Sequence, residues 1–366
     1  MFHLSIGQLA LIFLVSLFAI ISILITLYYT VIDKTRKLSI IENNKGKCRC
    51  RKKPPGIVYG ICCILCCPPC PPERVIGKAA FFPPEHTTYS FVEGSHGLQI
   101  KFTNERTITR ILTNTMITEQ RFFSSLKPFY VQTDAGNTIA CIHIQLYQSS
   151  KFTILYSHSN ACDIGHMVPS LFRMASELNC NVLSYDYSGF GLSTGYPSEP
   201  NQLLDAEAVW NELHKRMAIK TNQIILYGQS IGSVPTIYLG SKFRVAGIVL
   251  HSAFISGIRI YCKKRHKICF CFSPFSNIDR LHLIQSPILI IHGKQDRLVD
   301  YEHALELYRC CGSNAVEPLF IQWANHNNIE SGIEYLLRLK RFIYNEIMDT
   351  ESTSSSKSTA TSKTGF

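Results

Sequence analysis

The stretch Gln223-Ile224-Ile225-Leu226-Tyr227-Gly228-Gln229-Ser230-Ile231-Gly232-Ser233 constrains this chain more than any other. Its apolar, β-branched start reads as a buried strand. The strand ends in Gly-Gln-Ser-Ile-Gly, and the apolar run Val234 to Leu239 reads as a helix. A strand, a tight turn and a helix around G-x-S-x-G form the setting of a nucleophile elbow. The turn forces Ser230 into a strained backbone conformation. Gly228 and Gly232 are expected there because a Cβ at either would collide across the turn. The Ser230 hydroxyl then points outward at a helix N-terminus, where developing negative charge is stabilised. The competing reading is an ordinary glycine-flanked turn before a helix.

The rest of the chain supplies the sheet for such an elbow. Phe129 to Thr133, Asp134-Ala135-Gly136-Asn137 and Thr138 to Leu146 read as a β-hairpin. Phe152 to Tyr156 is a strand running into Ser157-His158-Ser159-Asn160-Ala161-Cys162-Asp163, with a helix over Ile164 to Leu178 capped by Asp163. Further strands are expected at Asn181 to Tyr185, Val245 to Leu250, Ile288 to Ile291 and Val316 to Ile321. Helices are expected at Leu203 to Met217, Tyr301 to Cys310 and Ile329 to Ile347. Strands alternating with helices predict an α/β fold with a doubly wound, mostly parallel sheet.

A serine hydroxyl is a poor nucleophile without a base, and the base needs an orienting acid. In elbow-bearing sheets these follow in the order Ser, acid, His. Asp296 lies just past the strand Ile288 to Ile291. Its rival Asp300 stands directly before a helix and reads as its N-cap. Asp279 precedes the strand, at the wrong end. His326 follows the last strand, whereas His251 and His292 break the order. The expected triad is Ser230, Asp296 and His326. The expected oxyanion hole combines the backbone N–H of Ile231 with that of Asn160. This chemistry calls for no cofactor and no metal.

Leu4 to Ile32 is almost continuously apolar and uncharged, long enough to cross a bilayer. Lys34, Arg36, Lys37 and further basic residues follow it. The positive-inside rule then puts the N-terminus outside and the remainder in the cytosol. A cleavable signal peptide is the alternative. Much of the net charge of +11 sits here and in Lys263-Lys264-Arg265-His266-Lys267. No nucleic-acid module accompanies it, so a membrane surface fits it better than nucleic acid. Seven of the fifteen cysteines lie between Cys48 and Cys70. Zinc needs four tetrahedral ligands, and no second knuckle follows at a finger spacing. Disulfides do not suit a reducing cytosol. S-acylation of Cys62, Cys63, Cys66, Cys67 and Cys70 fits cysteines beside apolar residues and a membrane.

These residues carry a resemblance. The chain is similar to the alpha/beta-hydrolase-domain protein 17 family over roughly residues 62 to 345. The shared stretches include Cys-Cys-Ile-Leu-Cys-Cys-Pro-Pro-Cys-Pro, Phe82-Pro83-Pro84-Glu85 and Ser159-Asn160-Ala161-Cys162-Asp163. They continue through Tyr185-Asp186-Tyr187-Ser188-Gly189-Phe190-Gly191, Gly228-Gln229-Ser230-Ile231-Gly232, Asn277-Ile278-Asp279 and Asn325-His326-Asn327-Asn328-Ile329-Glu330. The resemblance implies an α/β-hydrolase fold and the same triad. It also implies a cytosolic membrane-surface serine hydrolase that removes palmitate from proteins and is itself acylated. Its partners would be palmitoylated membrane proteins and membrane lipids, at the plasma membrane or endosomes. Three departures stand out: Ser159 and Asn325 where the family has Gly, and some sixty extra residues at the N-terminus. A side chain at Ser159 is expected to crowd the acyl group.

The expected organisation is a transmembrane signal-anchor (1–32), a basic Cys-rich segment (33–75), the hydrolase domain (76–349) and a Ser/Thr/Lys-rich tail (350–366). The segment from Phe254 to Ser276 is short for a large lid. A palmitoyl-protein thioesterase is the first functional reading. A monoacylglycerol-type lipase or carboxylesterase with the same triad is the second, and a non-catalytic membrane adaptor the third.

Overall fold

The computed structural model describes residues 72–94, 97–104, 108–109, 112, 117–261 and 274–348. The apolar run 4–32, the cysteine cluster 62–70 and the tail after 350 lie outside the described residues. Among those described, no helix is long and apolar enough to cross a membrane. The chain divides into two units, Met1–Val75 and Ile76–Phe366, and the whole sheet belongs to the second.

In chain order the helices are α1 (Pro72–Ala80), α2 (Glu119–Ser125), α3 (Ile164–Leu178), α4 (Glu199–Asn211), α5 (Ser233–Lys242), α6 (Gly257–Tyr261), α7 (Ile278–Leu281), α8 (Tyr301–Cys311) and α9 (Ile333–Arg341). The strands are β1 (Tyr89–Gly94), β2 (Gly97–Phe102), β3 (Leu126–Gln132), β4 (Thr138–Ile144), β5 (Thr153–Ser157), β6 (Asn181–Tyr185), β7 (Ile224–Gln229), β8 (Gly247–His251), β9 (Ile288–Gly293) and β10 (Leu319–Ile321). β1 and β2 pair as a separate antiparallel hairpin, Tyr89 opposite Phe102. The other eight strands form one sheet in the order β10-β9-β8-β7-β5-β6-β4-β3. β4 runs antiparallel to β3 and β6, and the remaining pairings are parallel.

The strands read as unbroken apolar runs because helices cover both faces of the sheet. Successive side chains still alternate between faces. Ile154 and Tyr156 of β5 and Ile225 and Tyr227 of β7 join the cluster built on Leu171 and Phe172 of α3 and Leu339 of α9. Leu155 and Leu226 join the opposite cluster, with Val209 of α4, Ile237 of α5 and Leu307 of α8. Caps set the helix starts. Asp163 accepts from the His166 N–H at 3.0 Å, and Ser198 accepts from the Asn201 N–H at 3.3 Å. Asn179 at φ 43° ends α3.

Several boundaries differ from the sequence expectation, and one hairpin adds to it. Helix α4 begins at Glu199, earlier than Leu203, because the Ser198 cap and Pro200 are an N-terminal signature that outranks the start of apolar periodicity. The expected Ile329–Ile347 helix is divided at Gly332, into a 3₁₀ turn (Ile329–Ser331), α9 and a π-helical turn (Phe342–Ile347). β10 starts only at Leu319, not Val316. The hairpin β1–β2 goes beyond the expectation, although Leu98, Ile100 and Phe102 of β2 alternate with polar residues as in a half-covered strand.

The parallel strands aim their C-terminal ends at one edge, where the elbow lies. A Cβ on Gly228 would stand 2.5 Å from the Gly232 carbonyl oxygen, across the turn as expected. For Gly232 the reason is different: its Cβ would stand 2.0 Å from the Ser157 carbonyl oxygen, at the end of the neighbouring strand β5. Backbone cannot give way as a side chain can. Gly232→Ala should therefore lower unfolding free energy by about 3 kcal/mol, the upper range for overpacking. Urea unfolding of the variant checks this, and unchanged stability would show that the two segments are not held so close.

Candidate active site

Ser230 follows the last residue of β7 and has φ 54°. A non-glycine residue there costs about 1–3 kcal/mol unless its surroundings over-determine it. They do so here. The Gln229 side chain accepts from the Tyr156 hydroxyl at 2.8 Å. The Ser230 carbonyl accepts from Ser233 Oγ at 2.7 Å, and Ser233 Oγ accepts in turn from Asn277 Nδ2 at 2.9 Å. Asn277 also donates to the Phe254 carbonyl at 2.8 Å, tying the elbow to the loop after β8.

His326, in the loop after β10, brings Nε2 to 3.1 Å from Ser230 Oγ and Nδ1 to 2.7 Å from Asp296 Oδ2. Asp296 sits in the loop after β9. Its Oδ1 accepts from the Leu298 and Val299 N–H groups at 2.9 and 2.8 Å. Burial alone would raise the Asp296 pKa. The bond and charge of His326 oppose this, helped by the Val299 N–H and by His292, and hold the carboxyl below its ordinary range. Asp296 therefore stays ionised at neutral pH and keeps the proton on His326 Nδ1. Nε2 is then left as the acceptor facing Ser230.

The rejected candidates have other work. Asp300 caps α8, accepting from the Glu302 N–H at 3.1 Å. Asp279 accepts from Ser276 Oγ at 2.6 Å. His292 is buried, with Nε2 at 2.9 Å from the Val299 carbonyl, and supports the Asp296 turn. His251 is buried at 2.9 Å from the Tyr227 hydroxyl. Burial, then His326 and His292, push its pKa down to about 3, so it stays neutral beside the site.

Ile231 stands in the first turn beyond the strand, where helix amides have no partner within the helix. Across from it runs the loop after β5. Asn160 is fixed there by its side chain: Oδ1 accepts from the Phe82 N–H at 2.8 Å and Nδ2 donates to the Ala80 carbonyl at 2.7 Å. Ala161 follows at φ 59°. Beneath the loop, His158 Nε2 lies 3.4 Å from Asp186 Oδ1, both fully buried. Burial would lower the His158 pKa, and the neighbouring Cys162 and Asp186 more than reverse that. Asp186 also accepts from the Tyr89 hydroxyl at 2.6 Å and the Ile164 N–H at 2.8 Å. Ser159 turns its hydroxyl to within 3.4 Å of Cys162 Sγ, back into its own loop. Asn325 orders the His326 turn: its N–H donates to Asn328 Oδ1 at 2.7 Å, and its Oδ1 accepts from the Asn327 N–H at 2.9 Å.

Sequence reasoning thus named the three side chains that the fold brings into line. It did not foresee the roles of Asn277, Asp186, His158 and Tyr89. Asn277 and Asp186 fall in family-like stretches, which was the only signal for them.

Comparison with known proteins gives the family of the chain. A family profile described as "Chlamydia CHLPS protein (DUF818)" matches residues 84–238. Alpha/beta hydrolase domain-containing protein 17C of Xenopus tropicalis is 39% identical over 295 residues, covering 78% of this chain and 94% of its own length. The human 17B protein is 38% identical over 289 residues, covering 79% of this chain and 97% of its own. The chain belongs to the alpha/beta hydrolase domain-containing protein 17 family. It is a hydrolase. The fold recurs in an esterase of Pyrococcus furiosus, with TM-score 0.53, 18% identity and coverage of 72% of this chain and 97% of the other. It recurs also in an alpha-beta hydrolase of Vibrio vulnificus, with TM-score 0.52, 17% identity and coverage of 64% and 85%.

The hydrogen-bonded line has a direct consequence. Ser230→Ala should abolish labelling by a fluorophosphonate and all hydrolysis, with its melting temperature kept near wild type. Asp296→Asn should reduce kcat by roughly 10³–10⁴-fold, because it stabilises the wrong His326 tautomer. Asp300→Asn should cost only helix-cap stability. Full activity of Asp296→Asn alongside an inactive Asp300→Asn would reassign the acid.

Proposed function

We propose that this chain is a membrane-associated serine hydrolase that cleaves thioester-linked palmitate from S-acylated proteins. The observation that carries the reading is the Ser230–His326–Asp296 line, with bonds of 3.1 and 2.7 Å. Ser230 Oγ attacks the thioester carbonyl carbon while His326 Nε2 takes its proton. The oxyanion that forms is held by the Ile231 and Asn160 amides. His326 then gives the proton to the departing cysteine sulfur, leaving palmitate esterified to Ser230. Water, deprotonated by His326, attacks this ester, and the returned proton restores the serine.

Exposed apolar side chains next to the site residues favour a long acyl chain as substrate. Phe82, Leu298 and Trp323 are 54%, 61% and 44% exposed. Phe82 adjoins Asn160, Leu298 lies two residues beyond Asp296, and Trp323 precedes His326 by three. Exposed aromatic and aliphatic side chains that adjoin site residues in this way suit an apolar ligand or a lipid surface. The same side chains would suit a monoacylglycerol, which is the second reading. The triad, with its partners in place, disfavours an adaptor without activity.

The two substrates separate in one assay. The purified chain should hydrolyse an S-palmitoyl peptide with kcat/KM at least about tenfold above that for a monoacylglycerol, since a thiolate leaves more readily than an alkoxide. Leu298→Ser with Trp323→Ser should narrow the preference for palmitoyl over acetyl thioesters. A larger kcat/KM for monoacylglycerol would make the chain a lipase.

Membrane attachment belongs to the same proposal: residues 4–32 cross the bilayer, and Cys62, Cys63, Cys66, Cys67 and Cys70 are S-acylated. One acyl chain binds weakly and reversibly, whereas a span holds essentially permanently. Acylation would then hold the neighbouring segment at the surface and raise the effective concentration of membrane-bound substrate. Replacing the five cysteines by Ser should leave the protein in the membrane fraction after a high-salt wash. Hydrolysis of a soluble ester should not change. Release into the soluble fraction would rule out the span. Absence of hydroxylamine-sensitive acyl groups on the wild type would rule out the acylation.

A further inference from the structure

A second polar site lies at the opposite edge of the sheet from Ser230. Two cavities of about 410 and 460 Å³ share Lys127, Gln145 and Asn181 in their walls and so form one trough. It is built where the parallel strands begin. Thr153 opens β5, Asn181 opens β6 and Gln223 directly precedes β7, while Lys127 faces His143 across the antiparallel pair β3–β4. The length of β7, at about 3.3 Å per residue, separates this edge from the elbow.

Its walls hold an unusual set of polar atoms. Among the described residues, His143 Nε2, Ser150 Oγ and Asn181 Oδ1 are buried without a hydrogen-bond partner, and all three residues line this trough. Leaving a buried polar group unmatched is unfavourable, and native proteins rarely leave three in one place. His143 is only 4% exposed, and burial pushes its pKa down to about 4, so its ring is neutral and can donate or accept according to tautomer. The charge is one-sided. Arg121, Lys127 and Lys151 contribute to the walls, and among the described residues no carboxylate does. Lys151 also stands 5.0 Å over the Phe152 ring, and Arg121 5.7 Å from that of Tyr147, so both cationic groups are held near the trough.

An anion alone would satisfy the cations but not the Asn181 carbonyl oxygen, which needs a donor. Hydroxyl groups both donate and accept, and would match Asn181, Ser150 and the neutral His143 together. We propose that this trough is a second binding site, for a phosphorylated polyol, with phosphate oxygens on Lys127 and Lys151 and hydroxyls on Ser150, Asn181 and His143. A free inositol phosphate and the headgroup of a phosphoinositide lipid share this chemistry.

Calorimetric titration of the full-length chain in detergent tests the site, with inositol trisphosphate, inorganic phosphate, myo-inositol and a dioctanoyl phosphatidylinositol bisphosphate as probes. Inositol trisphosphate should bind saturably at one site, inorganic phosphate more weakly, and myo-inositol not measurably. Lys127→Ala with Lys151→Ala should weaken inositol trisphosphate by at least about tenfold, since charge-assisted bonds are the strong ones. Ser150→Ala should weaken it severalfold without changing the affinity for inorganic phosphate. Melting temperature and hydrolysis of a soluble ester should stay at wild-type values in both variants. Tighter binding of the dioctanoyl lipid than of inositol trisphosphate assigns the site to a lipid headgroup, and equal or weaker binding assigns it to the soluble ligand. No saturable binding of inositol trisphosphate, or affinity unchanged by the double lysine substitution, would overturn the proposal. Inorganic phosphate binding as tightly as inositol trisphosphate would overturn its polyol part.

Discussion

The end of the sheet that carries Ser230 depends on one close approach, between Gly232 and the end of β5. The absent Cβ leaves the Ser157 carbonyl oxygen only 2.0 Å from where that atom would be. The turn bearing Ser230 therefore lies against the loop bearing Asn160. The amides of Ile231 and Asn160 sit on those two segments, so the proposed oxyanion hole is a by-product of this packing. Preorganised donors of this kind usually supply the largest single share of catalysis in acyl transfer. The strained φ of Ser230 belongs to the same contact, with Asn277 and Ser233 holding the turn from its far side.

The acid–base line is set by loops rather than by strands. Asp296 receives two backbone N–H groups and the His326 ring, and these outweigh the effect of burial on its carboxyl. His326 depends on a turn knotted by Asn325 and Asn328. Asn325, at a position where the resemblance leads one to expect glycine, contributes side-chain bonds that fix the turn. Ser159, the other departure within the domain, bonds within its own loop. Below that loop the buried His158–Asp186 pair and Tyr89 bind three parts of the chain together. All three are buried, so removing one member would leave buried polar groups without a partner, which costs more than losing an exposed contact.

The sheet and the hydrogen-bonded line Ser230–His326–Asp296 were legible in the sequence because each rests on local signals. Apolar runs marked the central strands, and Ser230, Asp296 and His326 stand just beyond strand ends in the order such a sheet requires. What was not legible depends on contacts between distant segments. Asn160 is held by Ala80 and Phe82, some eighty residues away, and Tyr89 reaches Asp186 across 97 residues. No local pattern announces such bonds. The hairpin β1–β2 lies outside the main sheet, yet Leu98, Ile100 and Phe102 alternate with polar residues, a local signal of a half-covered strand that the chain did carry. The trough at the other edge escaped because Lys127, His143, Ser150 and Asn181 read singly as ordinary polar residues near strand ends. Only their convergence makes them a site.

Acyl transfer to Ser230 is the central claim, and an acid-quenched reaction tests it most directly. The full-length protein is mixed with an S-palmitoyl peptide, stopped before a single turnover is complete, digested and analysed by mass spectrometry. Palmitate on the peptide containing Ser230, absent from Ser230→Ala and decaying as free palmitate appears, is the expected result. Turnover of the thioester with palmitate on a different residue, or with no acyl-enzyme in the wild type and undiminished turnover in Ser230→Ala, would contradict it.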